Sequence, residues 1–156
     1  MLYEQIATTC IADEALPWLP FGPGRLAQIK YFKCDPIRGE VISILKAPSA
    51  AQLPRHHHSG TVIVYTIKGQ WKYQEHDWIA GPGSLVFETA ASRHTPEGVP
   101  AGGPEIVTLN IVQGDLAYLD ADDKVVAIEN WRTAMEHYLK FCRSNGIEPL
   151  DLTHFQ

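Results

Sequence analysis

Pro54-Arg55-His56-His57-His58-Ser59-Gly60 runs directly into Thr61-Val62-Ile63-Val64-Tyr65-Thr66-Ile67-Lys68-Gly69, and this stretch decides how the chain reads. The second half is rich in β-branched residues and is ended by a glycine, which is the composition of a strand. Strand side chains alternate between faces, so His56 and His58 point one way and His57 the other. Two imidazoles on one face can share a single ion. His94, in Glu88-Thr89-Ala90-Ala91-Ser92-Arg93-His94-Thr95, supplies a third from a neighbouring strand. Three such nitrogens on one side of an ion leave its other positions open, which is the layout of a catalytic metal site rather than a closed structural one.

Outward from this stretch, short strand-like runs recur. They cover 28–33, 40–46, 61–68, 70–78, 84–88, 105–112, 116–119 and 125–128, with turns at Asp35-Pro36, Gly81-Pro82-Gly83, Gly98 to Pro104 and Asp120 to Asp123. Short strands at near-regular spacing predict an all-β sandwich or barrel. Residues 1–26 form an irregular arm broken by Pro17, Pro20, Gly22, Pro23 and Gly24, and Leu19 and Phe21 suggest that it lies across a surface or in a subunit contact. Trp131, Met135, Tyr138, Leu139 and Cys142 fall at helical spacing, and Asn145-Gly146 is a stop signal, so 130–144 predicts an amphipathic helix on the barrel. The organisation expected is one domain: the arm, a barrel over 26–128, and a helix and tail over 129–156.

The 156 residues carry a formal net charge of −5, and 45% of them are hydrophobic. That suits a single globular core and shows no basic stripe, which argues against nucleic acid and anionic membrane as partners. Cys10, Cys34 and Cys142 are odd in number and widely spaced, which disfavours a disulfide framework or a thiolate metal site. With no basic-then-apolar start and no long apolar run, the default expectation is a reducing cytoplasm.

The pattern resembles the cupin superfamily. Its first motif is a His-x-His pair, a Glu a few residues on, and a closing Gly; His56, His58 and Gly69 match, while Val62 stands where the Glu belongs. Its second motif is a Gly, a Pro-x-Gly turn and a His; Gly83 and His94 match, with Thr89 and Ala91 in place of the Pro and Gly. The resemblance implies a jelly-roll β-barrel, covers roughly 26–128, and fixes fold better than function. Three-His cupins that lack this carboxylate are typically Fe(II) dioxygenases cleaving carbon–carbon bonds beside carbonyls, and the resemblance implies that class here. A site of three neutral ligands keeps the ion's full charge and favours a chelating enolate. The stretch Gly69 to Trp78, with Gly83 to Glu88 and His94-Thr95, looks like the 2,4'-dihydroxyacetophenone dioxygenase group, with acetylacetone-cleaving dioxygenases as relatives. Their Glu six residues before the third His is matched by Glu88.

The resemblance therefore implies Fe(II) (with Zn or Mn as purified alternatives) on His56, His58 and His94, with Glu88 orienting a ligand imidazole through its other ring nitrogen. It implies a small-molecule ketone and dioxygen as partners, and a homodimer or homotetramer. A non-catalytic metal-binding regulatory cupin, like those of some anti-sigma factors, and a zinc or manganese isomerase or hydrolase are the rival expectations. His57 is expected to face away from the metal, His76 to lie on the surface, and His137 and His154 to face solvent. Tyr65, Trp71, Trp78 and Phe87 are expected in the barrel core. Arg93 reads equally as an anion receptor or a turn brace. Asp120, Asp122 and Asp123 lack calcium-loop spacing and read as a solvated turn.

Overall fold

A computed structural model describes residues 10–153. Two long strands form its spine. β2 (Ala27–Asp35) and β3 (Glu40–Pro48) are joined by a turn in which the Asp35 carboxylate accepts the backbone N–H groups of Ile37 and Arg38 at 2.8 and 3.0 Å. β1 (Leu19–Phe21) pairs with β2 on its outer edge. β4 (His56–His58), β5 (Val62–Lys68), β6 (Trp71–Tyr73), β7 (Leu85–Glu88), β8 (Arg93–His94) and β9 (Pro96–Gly98) follow. The strands end with β10 (Glu105–Gln113), β11 (Leu116–Leu119) and β12 (Val125–Glu129), before helix α1 (Trp131–Asn145).

β10 pairs with β3 on one side and β5 on the other, which makes the antiparallel sheet β1-β2-β3-β10-β5-β7. A second sheet, β12-β11-β4-β8, faces it, and β6 pairs with β9 in a small ribbon. This is the expected cupin jelly-roll barrel with one C-terminal helix.

The helix is set by its ends. The Asn130 side chain accepts the N–H groups of Arg132 and Thr133, and Thr133 returns a contact to the Asn130 N–H, a reciprocal cap of about 1 kcal/mol. Gly146 ends it at φ 64°, a left-handed conformation that glycine adopts without a Cβ penalty. Its inner face buries Ala134, Tyr138 and Cys142 against Tyr31 and Cys34 of β2 and Leu19 of β1. Each large side chain buried there contributes roughly 1.5–3 kcal/mol.

Several expectations need correction. The 1–26 arm is not irregular throughout: Leu19 is 0% exposed in β1, so it serves this subunit's own core rather than an outer surface. The 70–78 run stops at Tyr73, because His76 N–H turns back to the Tyr73 carbonyl at 3.1 Å. The last strand ends at Glu129, and the helix runs Trp131–Asn145 with Asn130 as its cap, as the spacing led one to expect. Tyr65 and Phe87 are 42% and 59% exposed, on the outer face of the β5–β7 pair. His137 is half-buried, its ring edge-on to Tyr31 at 6.1 Å, and burial holds its pKa below the usual value. His154 lies outside the described residues. No helix among the described residues is long and apolar enough to cross a membrane.

Candidate metal centre

The histidine centre follows from strand alternation and one pairing register. On β4, His56 and His58 are buried and His57 between them is half-buried. β4 pairs antiparallel with β8 so that His56 stands opposite His94 and His57 opposite Arg93. The His58 carbonyl and N–H are taken by Ala91 and Ser92, which fixes the approach to β8. Ala91 has φ 64°, the left-handed region, at the position where the cupin motif carries glycine.

The ring centroids of His56 and His58 are 4.7 Å apart, and each lies 5.2 Å from that of His94. One ring nitrogen from each residue falls within 4.8 Å of the others. The fit to a metal rests on their chemistry. Both ring nitrogens of His58 are buried without a hydrogen-bond partner, an unfavourable state that coordination relieves. Burial, with the neighbouring His58, lowers the His56 pKa to about 4, so it is a neutral imidazole, the metal-binding form, at ordinary pH. His56 Nδ1 lies 3.1 Å from the Pro54 carbonyl, which leaves Nε2 for the ion. The three residues fit a divalent ion with nitrogen preference.

Glu88 is placed closer to this centre than its sequence position required. It closes β7 directly opposite Val62 of β5, and both side chains are buried. Its Oε2 lies 3.1 Å from His94 Nε2 in a hydrogen bond, and 2.9 Å from His58 Nε2 off the axis of one. The Tyr73 hydroxyl donates to Oε1. Burial alone would raise this carboxyl, but the two imidazoles and the Tyr73 hydroxyl outweigh it and hold the pKa well below the carboxylate range. Position 62 carries no carboxylate, and Glu88, the facing residue on the next strand, places one beside His94 and His58.

Tyr73 was not singled out in the sequence. Its ring stacks on His94 at 3.9 Å and 15°, while burial and then Glu88 keep its hydroxyl protonated as a donor. Only its alternation with Trp71 signalled an inward position. Trp71 is buried and donates from Nε1 to Thr66 at 2.8 Å. Trp78 is 37% exposed and stacks with the exposed His76 at 5.4 Å. Arg93 and Arg55 both grip Asp123 at 2.8 Å, so Arg93 braces the β11–β12 turn over β4. Asp120 accepts the N–H groups of Asp122 and Lys124 at 2.9 Å, the expected turn.

The centre opens on a cavity of about 160 Å³ inside the barrel. His56, His58, Glu88, Trp71 and Tyr73 line it together with aliphatic side chains such as Val62 and Val64.

A family model described as the ChrR cupin-like domain matches residues 7–116. This chain belongs to the ChrR cupin-like family. It is 54% identical to an RmlC-like cupin protein from Ralstonia eutropha JMP134, with a TM-score of 0.95 over 100% of both chains. At 20% identity and a TM-score of 0.71 it shares its fold with an acetylacetone dioxygenase from Acinetobacter johnsonii, over 86% of this chain and 91% of that one. The anti-sigma factor ChrR, solved with SigE from Rhodobacter sphaeroides, aligns at 18% identity and a TM-score of 0.53 over 65% of this chain and 51% of that one. Comparison with curated protein sequences gave no match.

Proposed function

We propose that this cupin is a non-haem Fe(II) dioxygenase that cleaves a carbon–carbon bond beside a carbonyl, acting on an α-hydroxyketone such as 2,4'-dihydroxyacetophenone. The observation that carries the reading is a cluster of three buried imidazoles, two of which, His56 and His58, line an apolar cavity large enough for a substrate. A site that only stores or senses an ion has no use for such a cavity. Likeness of fold to an acetylacetone dioxygenase supports the same class, with small β-diketones as the alternative substrate.

When bound, Fe(II) would supply Lewis acidity toward the substrate oxygens and the redox capacity for dioxygen. His56, His58 and His94 would hold it on one side and leave the cavity side open. Glu88 is a positioning residue here: it orients His94 and lies against His58, and its charge raises their basicity. Tyr73 fixes Glu88 by its hydroxyl and fixes His94 by stacking. Val62 and Val64 keep water from the reacting carbons. The reaction balances as one hydroxyketone plus one dioxygen giving 4-hydroxybenzoic acid and formic acid.

The ChrR-like family match favours a second reading, a non-catalytic metal-binding regulatory module. Oxygen uptake separates them. Anaerobically purified, Fe(II)-loaded protein should consume one dioxygen per 2,4'-dihydroxyacetophenone and release both acids, and a monoketone without the α-hydroxyl should be inert. Absence of uptake with every hydroxyketone and diketone tried, despite bound iron, would leave the regulatory reading standing.

A further inference from the structure

The cavity has a second polar pole. Glu129, the last residue of β12, lines the same cavity as His56 and His58. Its carboxylate is set from two strands: the Tyr31 hydroxyl donates to Oε1 and the Tyr118 hydroxyl to Oε2, each at 3.0 Å. Tyr118 stands opposite His56 in the β11–β4 pairing, and the two rings meet edge-on with centroids 6.4 Å apart. One aromatic ring thus lies between the metal centre and this carboxylate.

Both hydroxyls are neutral partners. Glu129 is half-buried, and drawing a carboxylate partly out of water against neutral groups is costly, whereas an apolar residue would close the barrel without that cost. A carboxylate offers about four lone-pair directions, and the two tyrosines take two. Tying β2, β11 and β12 together would not need a group that faces the cavity.

We propose that Glu129, set by Tyr31 and Tyr118, binds a hydroxyl at the far end of an aryl ketone whose carbonyl end lies at His56, His58 and His94. The inference rests on reading this cavity as a substrate site, and it selects hydroxyaryl ketones over small aliphatic diketones. A hydroxyl suits the place because it donates to an ionised carboxylate and accepts from a protonated one. Burial pushes the Glu129 carboxyl up while the two tyrosines pull it back, so a group able to play both parts is the matching partner.

The test is binding, read by tryptophan fluorescence on the full-length protein as purified and kept anaerobic. The probes are 4-hydroxyacetophenone and acetophenone, neither of which carries the α-hydroxyl, at a pH where the phenol is protonated. Wild type should bind the phenol at least about tenfold more tightly, the scale of one hydrogen bond to a charged group. Glu129→Gln should cut that preference to less than about threefold while still binding acetophenone and keeping the wild-type urea midpoint. Should Glu129→Gln not fold, Tyr118→Phe, which keeps the ring beside His56, should also lower the preference. No binding of either ketone, no preference in wild type, or an undiminished preference in the folded variant overturns the proposal. Neither probe is turned over, so absence of oxygen uptake sinks the dioxygenase reading without touching this one. Uptake with no phenol preference sinks this one alone.

Discussion

Val62 and Glu88 face each other across β5 and β7, in register and both buried. The carboxylate that cupins carry on the strand after the histidine pair has no counterpart at position 62, yet one stands directly across the ladder. The side chains of such a pair sit about 4.5–5.5 Å apart at Cβ. A carboxylate from either strand therefore reaches nearly the same place.

Exchanging the pair should show whether place or strand matters. Glu88→Val alone should weaken metal binding strongly. Adding Val62→Glu to it should recover at least tenfold of the lost affinity, measured by competition with a chromogenic chelator. Val62→Glu alone puts two carboxylates side by side and should lower turnover and stability, since both cannot ionise freely when buried. A double variant no better than Glu88→Val would mean that Glu88 acts through Tyr73 and the imidazoles in a way that position 62 cannot copy.

The register of β4 on β8 predicts unequal histidine variants. His94→Ala should lose most bound metal and all activity, whereas His57→Ala, facing Arg93 on the other side of the strand, should keep both. Metal analysis after gel filtration decides this. Equal losses would require a slip of one residue, which exchanges the two faces.

Acid should destabilise the metal-free protein through His56. The His56 pKa is about 4 when folded against 6.5 for an unperturbed histidine, so the folded state refuses a proton that the unfolded chain accepts. The stabilisation is complete above pH 6.5 and is lost as pH falls toward 4. Between pH 7 and pH 5 the loss is roughly 2 kcal/mol. His137, also lowered, adds in the same direction. Glu88, held low, stays ionised in the folded state throughout this window. Urea unfolding at the two pH values, compared with His56→Asn, reads the difference. An equal fall in both proteins would remove His56 as its source.

Backbone conformation gives a pair of opposite predictions. Ala91 sits at φ 64°, and Ala91→Gly should raise stability by about 1 kcal/mol. Gly69 has φ 77°, and a Cβ there would stand 2.3 Å from the Glu105 carbonyl oxygen, so Gly69→Ala should lower stability by well over 1 kcal/mol. Urea midpoints test both, and the same sign for the two changes would contradict the argument.

Much of the fold was legible because strand alternation and turn residues are local. The β-branched run at 61–68, the glycine after it, the Asp35-Pro36 turn and the helix stripe ending at Gly146 each carry their own signal. Alternation also put His56 and His58 on one side. It does not say which face of a strand is covered, so Tyr65 and Phe87 were expected inside and stand exposed on the outer face among the described residues. Leu19 shows the converse: proline and glycine punctuation hid a three-residue edge strand whose burial depends on β2 and the helix.

The sequence by itself determined the all-β class, the terminal helix, the set of three histidines and the presence of a carboxylate six residues before the last of them. Those follow from side-chain period and residue type. Only the tertiary structure decided that Glu88 faces Val62, that Tyr73 stacks on His94, and that Tyr31, Tyr118 and Glu129 meet at the cavity wall. The physical reason is range. Tyr31 and Glu129 are 98 residues apart in the chain. Their meeting is set by the register of strands paired through β3, β10 and β11 and by the packing of the helix, and no local pattern encodes that register.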